Sequence, residues 1–502
     1  MQTKGPLNSA KVQRGPALTE VKTLDQGLKP TQYKLSFDIA RQIARDIIKD
    51  GLREGDHMGR ESDMLSRYGI SRDTFREALR VLEWQGLVHS RRGPKGGLLV
   101  AKPSQDAVIN ILRDFFDLTG ITLQEVTEAL IRLRKVISKL ATIKLTEQLI
   151  PDLQRCLEAA VDPQLNLAQQ VFSEIHLKRQ VASIGGNEAL SLFTAPLDFV
   201  VVDLSFLHFS SKTGYLEQAI KESHETLKAL IKAIIENKDV EAMGYVDTYM
   251  AILDPLIEDQ AKDAQKRSVY PHWFDSSYSK SAQELIYKIK QDIEDNNLKI
   301  GDRLGSEIEL IKKYGVSRSI FREASRILEF IGLTQSRKGR EGGLIVSKVN
   351  PTNTIQAVSL FLEQSNLPFE QIYEARLTLD TFAVELAAQR CTEKQIQSLK
   401  EALEIERNAQ TSEAFVIASS RMHSAICRAS GNRAISLYID ILIHSKLFQP
   451  SSENQLQEVF KNKMLIVRSH ERIIREIEAK NSKAASRHMR DHRAQIASYL
   501  NI

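Results

Sequence analysis

The sequence predicts a mainly α fold in which two winged helix-turn-helix units alternate with two antiparallel helical bundles. Three observations predict it. The stretch GISRDTFREALRVLEWQGL, beginning at Gly69, returns almost unchanged as GVSRSIFREASRILEFIGL from Gly315. Each copy is followed by two short β-prone runs around a basic tip, GLVHSRRGPKGGLLV in one and GLTQSRKGREGGLIV in the other. Behind each copy lies a long segment with helical apolar periodicity almost throughout.

An offset of 246 residues carries Arg72 to Arg318, Arg76 to Arg322, Gly96-Gly97 to Gly342-Gly343, Leu52 to Leu298, Glu61 to Glu307 and Thr146 to Thr392. Solenoid repeats have periods of roughly 20–50 residues, so this is a whole unit written twice. The expected division is a flexible leader (1–34), a first head (35–102), a first bundle (103–265), a linker (266–280), a second head (281–349) and a second bundle (350–502). The leader carries Pro6, Pro16 and Pro30 without helical periodicity.

At 42% hydrophobic and 26% charged residues the composition is that of an ordinary globular protein. There is no secretory apolar run, and no stretch of the roughly 18 apolar residues that spanning a membrane requires. Cys156, Cys391 and Cys427 form no framework or CxxC pair, which suits a reducing cytosol. A net charge of +5 is mild for this length, so any attraction to nucleic acid must come from local patches.

In the first head, Ile39, Ile43, Ile47 and Ile48 recur at helical spacing before GLREGD, which reads as a turn. A shorter helix over about Glu61–Tyr68 stops at Gly69, where a left-handed residue can end it. Ser71 is placed to cap the next helix by accepting an orphan backbone N–H. That helix has an apolar stripe of Phe75, Ala78, Leu79 and Leu82. On its other side Arg72, Arg76 and Arg80 form one ridge, and Arg318, Arg322 and Arg326 keep the register in the second copy.

An α-helix with a cationic N-terminal end fits the DNA major groove, and arginine grips guanine or phosphate with two donors at once. The candidate DNA contacts are Arg72, Thr74, Arg76 and Arg80 with Arg91, Arg92 and Lys95 of the first wing. In the second head they are Arg318, Ser319, Arg322 and Arg326 with Arg337, Lys338 and Arg340. The plainer alternative pairs the arginines with Asp73, Glu77 and Glu83 on a solvated face. Two copies with matching wings favour DNA.

The pattern G-[IV]-S-R-x-x-F-R-E-A, then L-E-x-x-G-L, then a basic tip and G-G, resembles the GntR superfamily of bacterial transcription regulators. The resemblance covers Ser36 to about Lys102 and Ala282 to about Lys348. It implies DNA contacts from Arg72, Arg76, Arg318, Arg322 and the wing tips. One departure is that many members carry an arginine after the glutamate of the second helix, where this chain has Ser62 and Ile308.

The first bundle divides into helices over about 105–118, 122–145, 147–160, 165–184, 187–209, 215–236 and 239–262. Breaks fall at Gly120, Pro151, Pro163, Gly185-Gly186, Gly214 and Asn237, and in the second bundle near Pro368, Gly431, Pro450 and Asn481. Such a bundle of about seven helices can enclose a pocket. Ser430-Gly431-Asn432, after a helix with Met422-His423, resembles the FadR-type C-terminal ligand-binding domain, with Ile184 to Asn187 as a weaker echo.

That resemblance implies a divalent metal held by one aspartate and three histidines, matched here by His423, His470 and His492. His470 and His492 each lie about ten residues from the turn at Asn481-Ser482, so at about 1.5 Å per residue they return to one height on antiparallel helices. Imidazoles suit Zn, Ni, Mn or Fe. The aspartate position holds Ser419; Cys427 is a core thiol or a substitute ligand. In the first bundle His176 and His224 persist, but Phe172 and Val246 fill the other positions, so a degenerate site without metal is expected. Arg376 is a candidate for an acidic effector, or a partner of Glu374 or Asp380; its first-half match is Leu130.

The expected function is a sequence-specific regulator, not an enzyme, whose single chain supplies both DNA-reading heads, as a pseudo-dimer that could pair further. Its partners are a double-stranded operator and a small organic acid sensed in the second bundle. The alternatives are an architectural DNA-binding protein that has lost sensing, or a three-histidine metal-dependent hydrolase. The hydrolase reading finds no H-E-x-x-H motif and leaves both arginine ridges unexplained.

Overall fold

The computed structural model describes residues 35–84, 86–91, 97–101, 105–209, 213–262, 280–337, 342–365, 367–445 and 452–500. The expected leader, and the linker up to residue 279, lie outside the described residues. The first head comprises α1 (Leu35–Lys49), β1 (His57–Gly59), α2 (Glu61–Tyr68), α3 (Arg72–Trp84), β2 (Val88–Arg91) and β3 (Gly97–Val100). Ile39, Ile43 and Ile47 on α1 and Phe75, Ala78 and Leu82 on α3 are buried in the core where the two helices pack. Each such side chain contributes about 1.5–3 kcal/mol on leaving water. Gly69 ends α2 in the left-handed region at φ 63°, and Ser71 Oγ accepts from Thr74 N at 3.2 Å.

The wing holds one strand more than the sequence suggested. It is an antiparallel sheet of order β1-β3-β2, and the three-residue β1 is too short to show an alternating period. Its closeness explains the repeated glycine. A Cβ on Gly97 would stand 2.4 Å from the His57 ring and 2.6 Å from the Gly59 carbonyl, and φ is +152°. At Gly343 the same atom would meet Gly305 O at 2.3 Å.

The first bundle contains α4 (Gln105–Thr119), α5 (Leu123–Lys144), α6 (Ile150–Ala160), α7 (Leu167–Gly185) and α8 (Glu188–Phe209). It continues with α9 (Thr213–Ile235), α10 (Asp239–Ala251) and α11 (Asp254–Lys262). The single helix expected over 239–262 is therefore two: Pro255, which lacks an N–H and disfavours helix before it, opens α11 after a turn at Ile252-Leu253. Pro151 does not break the chain but sits in the first turn of α6, where its missing donor costs nothing. Gly214 likewise falls inside α9.

The second head repeats the first, with α12 (Lys280–Asp295), β4 (Arg303–Gly305), α13 (Glu307–Tyr314), α14 (Arg318–Ile331), β5 (Thr334–Arg337) and β6 (Gly343–Val346). The second bundle contains α15 (Thr352–Gln364), α16 (Phe369–Arg390), α17 (Glu393–Arg407), α18 (Ser412–Ala429) and α19 (Arg433–His444). It ends with α20 (Glu453–Lys461), α21 (Lys463–Glu478) and α22 (Ser482–Leu500); the break expected at Pro450 lies outside the described residues.

The bundles pack through counterpart elements: α4 meets α15, α5 meets α16, and the α8–α16 contact is mirrored by α5–α19. Asn187 caps α8 with Oδ1, accepting from Leu190 N, while its Nδ2 crosses to Gln371 O at 3.2 Å and Glu374 Oε2 at 2.7 Å. Asn432 caps α19 through Ile435 N, and its Nδ2 donates to Glu125 O at 2.8 Å and Glu128 Oε2 at 3.0 Å. Glu125 and Glu128 are the first-half counterparts of Gln371 and Glu374, so the contact is reciprocal, as in an isologous dimer. Phe193 and Tyr438, each six residues past its capping asparagine, stack on one another at 4.5 Å, and Tyr438 Oη donates to Phe193 O. A residue meets its own counterpart only on a two-fold axis.

The second head also reaches the first bundle. Lys290 on α12 donates to Asp117 O at 2.5 Å, beside buried Arg113, Asp114 and Asp203. The carboxylate oxygens of Asp117 and Asp203 are buried without a hydrogen-bond partner. Burial pushes Asp114 up to about 7 and Asp117 up to about 6. No described helix is long and apolar enough to cross a membrane.

Two predictions follow from this packing. Replacing Asn432 by Ala removes a cap and two cross-bundle hydrogen bonds, and is expected to cost about 2–4 kcal/mol in urea unfolding of the full chain. The raised Asp114 and Asp117 contribute stability that is complete below the ordinary carboxylate range and is lost as pH rises through about 6 and 7. Asp114→Asn should therefore stabilise the chain at about pH 8 and do so less at about pH 5.5; equal urea midpoint shifts at both would contradict the assignment.

Candidate nucleic-acid interface and metal centre

The N-terminal ends of α3 and α14 present the arginine ridges. Arg72, Arg76, Arg318 and Arg322 are exposed, and Arg326 is half-buried. Their partner is not the one expected from the helix itself: Arg76 Nε lies 3.5 Å from Glu61, while Glu307 holds Arg318 at 3.3 Å and Arg322 at 3.1 Å. Glu61 and Glu307, not Asp73, thus hold Arg76, Arg318 and Arg322; the side chain of Glu77 lies outside the described residues. Exposed pairs of this kind contribute about 0–1 kcal/mol, so a phosphate can displace the glutamate at little cost. Thr74 Oγ1 and Ser319 Oγ sit 2.9 Å from the capping hydroxyls of Ser71 and Ser317. Arg91 and Arg337 are exposed at the ends of β2 and β5. Arg92, Lys95, Lys338, Arg340 and the side chain of Arg80 lie outside the described residues.

In the second bundle His423 on α18, His470 on α21 and His492 on α22 converge in the buried interior. His423 Nε2 and His470 Nε2 stand 3.1 and 3.2 Å from His492 Nε2. Burial, reinforced by the neighbouring imidazoles, pushes His423 and His492 well below the usual histidine range. His470 Nδ1 meets Glu406 at 2.9–3.0 Å, and His492 Nδ1 meets Ser469 Oγ at 2.7 Å. With Nδ1 engaged on His470 and His492, the three Nε2 atoms face one another. Three ring nitrogens facing inward at about this spacing suit the roughly 2.0–2.1 Å bonds of a tetrahedral or expanded Zn site, so the residues fit a divalent ion.

The fourth group differs from expectation. Ser419 is half-buried, whereas Asp380 on α16 is buried with Oδ1 unpartnered, 3.8 Å from His423 Nδ1. Arg376 is itself buried and its Nε donates to Asp380 Oδ2 at 3.2 Å, with Arg493 Nε 3.5 Å away. It lies in the interior and not at the bundle surface. The i, i+4 spacing of Arg376 and Asp380 was readable; Glu406, Ser469 and Arg493 come from other helices and left no local signal.

In the first bundle the structure corrects the residue match. Read back from the left-handed Gly186 and Gly431, eight residues lead to Lys178 and to His423, not to His176. One residue separates this register from the offset of the heads. His176 and Phe172 are exposed. Glu174 stands where the second half has Ser419, and is half-buried with Tyr249 Oη donating to it at 2.6 Å and Ser223 Oγ at 2.8 Å. Lys178 Nζ lies 3.4 Å from Glu174 and 2.7 Å from Tyr249 Oη. Although burial opposes its charge, Lys178 and these hydroxyls hold the Glu174 carboxyl below its ordinary value. His224, the counterpart of His470, has a buried, unpartnered Nε2.

Residues 35–96 and 281–342 each match the family described as bacterial regulatory proteins, gntR family, and residues 371–495 match the FCD domain. The Uxu operon regulator of Haemophilus influenzae is 30% identical over 213 residues, covering 41% of this chain and 76% of that protein. The chain belongs to the GntR family. The Glc operon transcriptional activator of Escherichia coli is 30% identical, with 42% of this chain and 86% of that protein covered. Among solved structures, Streptococcus agalactiae GntR aligns over 43% of this chain and 99% of its own, at 22% identity and a TM-score of 0.33. The Uxu and Glc regulators each span less than half of this GntR chain while most of their own length is used, as befits a unit present twice.

Metal occupancy is testable on the GntR chain itself. Chelation is expected to lower its thermal midpoint, and Zn²⁺ at about a hundred times its dissociation constant to restore about 2.7 kcal/mol. His470→Ala should abolish the response; an unchanged Zn²⁺ response in that variant would place the ion elsewhere.

Proposed function

We propose that this GntR-family regulator reads one operator with the two heads of a single chain, and that a small carboxylate bound at the second bundle controls it. The reciprocal asparagine bridges and the Phe193–Tyr438 stack carry the first half of the reading, because they give one chain the arrangement that two-fold dimeric regulators build from two. Tethering makes engagement of the second head intramolecular and so tightens binding without new contacts.

The heads are not identical. Asp73-Thr74 in one becomes Ser319-Ile320 in the other, and the wing tips differ, so the expected operator is an imperfect palindrome or a pair of unlike half-sites. His423, His470 and His492 would hold a divalent ion, which would supply a Lewis-acidic position for a carboxylate. Arg376 and Arg493 hold the Asp380 side chain in place beside His423.

The test is selection of bound duplexes from a random pool at a stated salt concentration, followed by sedimentation of the complex. One chain per duplex, with half-sites about one helical turn apart, is expected. Arg76→Ala and Arg322→Ala should each weaken binding by about 1–3 kcal/mol, and each should relax a different half-site. Two chains on two identical half-sites would refute the single-chain reading.

A further inference from the structure

The Lys178–Glu174 pair lies at the edge of a cavity of about 440 Å³ in the first bundle. Its polar end is made by Arg134, Lys178 and Tyr249, and its wall by Leu227, Ile231 and Val246. Val246 stands where the second bundle has His492, so an apolar wall replaces a ligand. Arg134 is ion-paired with Asp198, yet its Nε is buried with no hydrogen-bond partner. Lys178 Nζ is held between Glu174 and Tyr249 Oη, which leaves one of its three N–H donors for another acceptor.

We propose that the first bundle is a second, metal-independent sensing site, in which the tethered ammonium of Lys178 replaces the divalent ion and binds the carboxylate of an organic acid with an apolar body. Glu174 then does for the ammonium what a carboxylate ligand does for a metal: it anchors the cation, and Tyr249 and Ser223 fix the carboxylate in turn. Arg134 Nε supplies a second donor, and Leu227, Ile231 and Val246 cover the remainder of the acid. The walls disfavour polyhydroxylated acids, whose hydroxyls would be buried without partners. The inference extends effector control to the other half of the chain without depending on the metal in the second bundle.

The experiment is calorimetry on the full chain after chelation and desalting, with 3-phenylpropionate and octanoate as probes and gluconate as the polyhydroxylated-acid comparison. One site per chain is expected for the apolar acids, with gluconate at least tenfold weaker. Lys178→Met should weaken that binding at least tenfold. The double variant Lys178→Met/Glu174→Gln removes both charges, leaves no orphan carboxylate, and should show the same loss while keeping the wild-type circular dichroism spectrum. No binding by the chelated chain, or binding that Lys178→Met/Glu174→Gln leaves intact, overturns the proposal. Binding that appears only when Zn²⁺ is restored also overturns it, because that site belongs to the second bundle; the metal-dependent reading would survive that outcome.

Discussion

Everything in this chain hangs on the way the two bundles hold each other across a pseudo-two-fold axis. One asparagine in each bundle serves two purposes: its oxygen caps its own helix, and its amide nitrogen reaches the other bundle. Helix termini leave orphan donors and acceptors that must be satisfied when buried, so the bridge and the cap stand or fall together. Arg433 strengthens one side of the contact by its ion pair with Glu125, and Arg390 by its ion pair with Glu128. The first-half counterparts of these arginines, Glu188 and Lys144, form no such ion pairs among the described residues. The two-fold frame is thus kept by the backbone and the asparagines, while its charged rim has diverged.

The heads are tied into that frame unequally. Lys290 of the second head grips the carbonyl of Asp117 at the C-terminal end of α4, and Tyr287 of the same helix is buried against the acidic cluster there. Ile109 of α4 also lines the first-bundle cavity. The helix that lines the cavity in one bundle is therefore the one on which the other head rests. A ligand with different affinities for two positions of α4 would shift the second head relative to the first.

The halves also solve one chemical problem in two ways. In the second bundle three buried imidazoles point their Nε2 atoms at one place, and burial holds His423 and His492 well below the usual histidine range. In the first, glutamate and lysine occupy the corresponding turn and neutralise each other within the chain. The two arrangements occupy corresponding turns of their bundles.

The sequence by itself determined the elements. A period of 3.6 residues, capping serines and left-handed glycines act over a few residues, so α2, α3, their copies and the arginine ridges were legible without any tertiary contact. His470 and His492 were legible for the same reason, since symmetric distance from a helical turn sets their height, whereas His423 was marked by the resemblance alone. What only the tertiary structure decided acts between segments far apart in the chain. Glu61 and Glu307 hold the arginines from another helix, Asp380 and Glu406 approach the histidines from α16 and α17, and β1 gains its meaning only when β3 lies beside it. The match of Lys178 to His423 depended on one residue of register, which a constant offset hides and the left-handed glycines reveal. The axis itself came last, because no local pattern records which side chain meets its own counterpart.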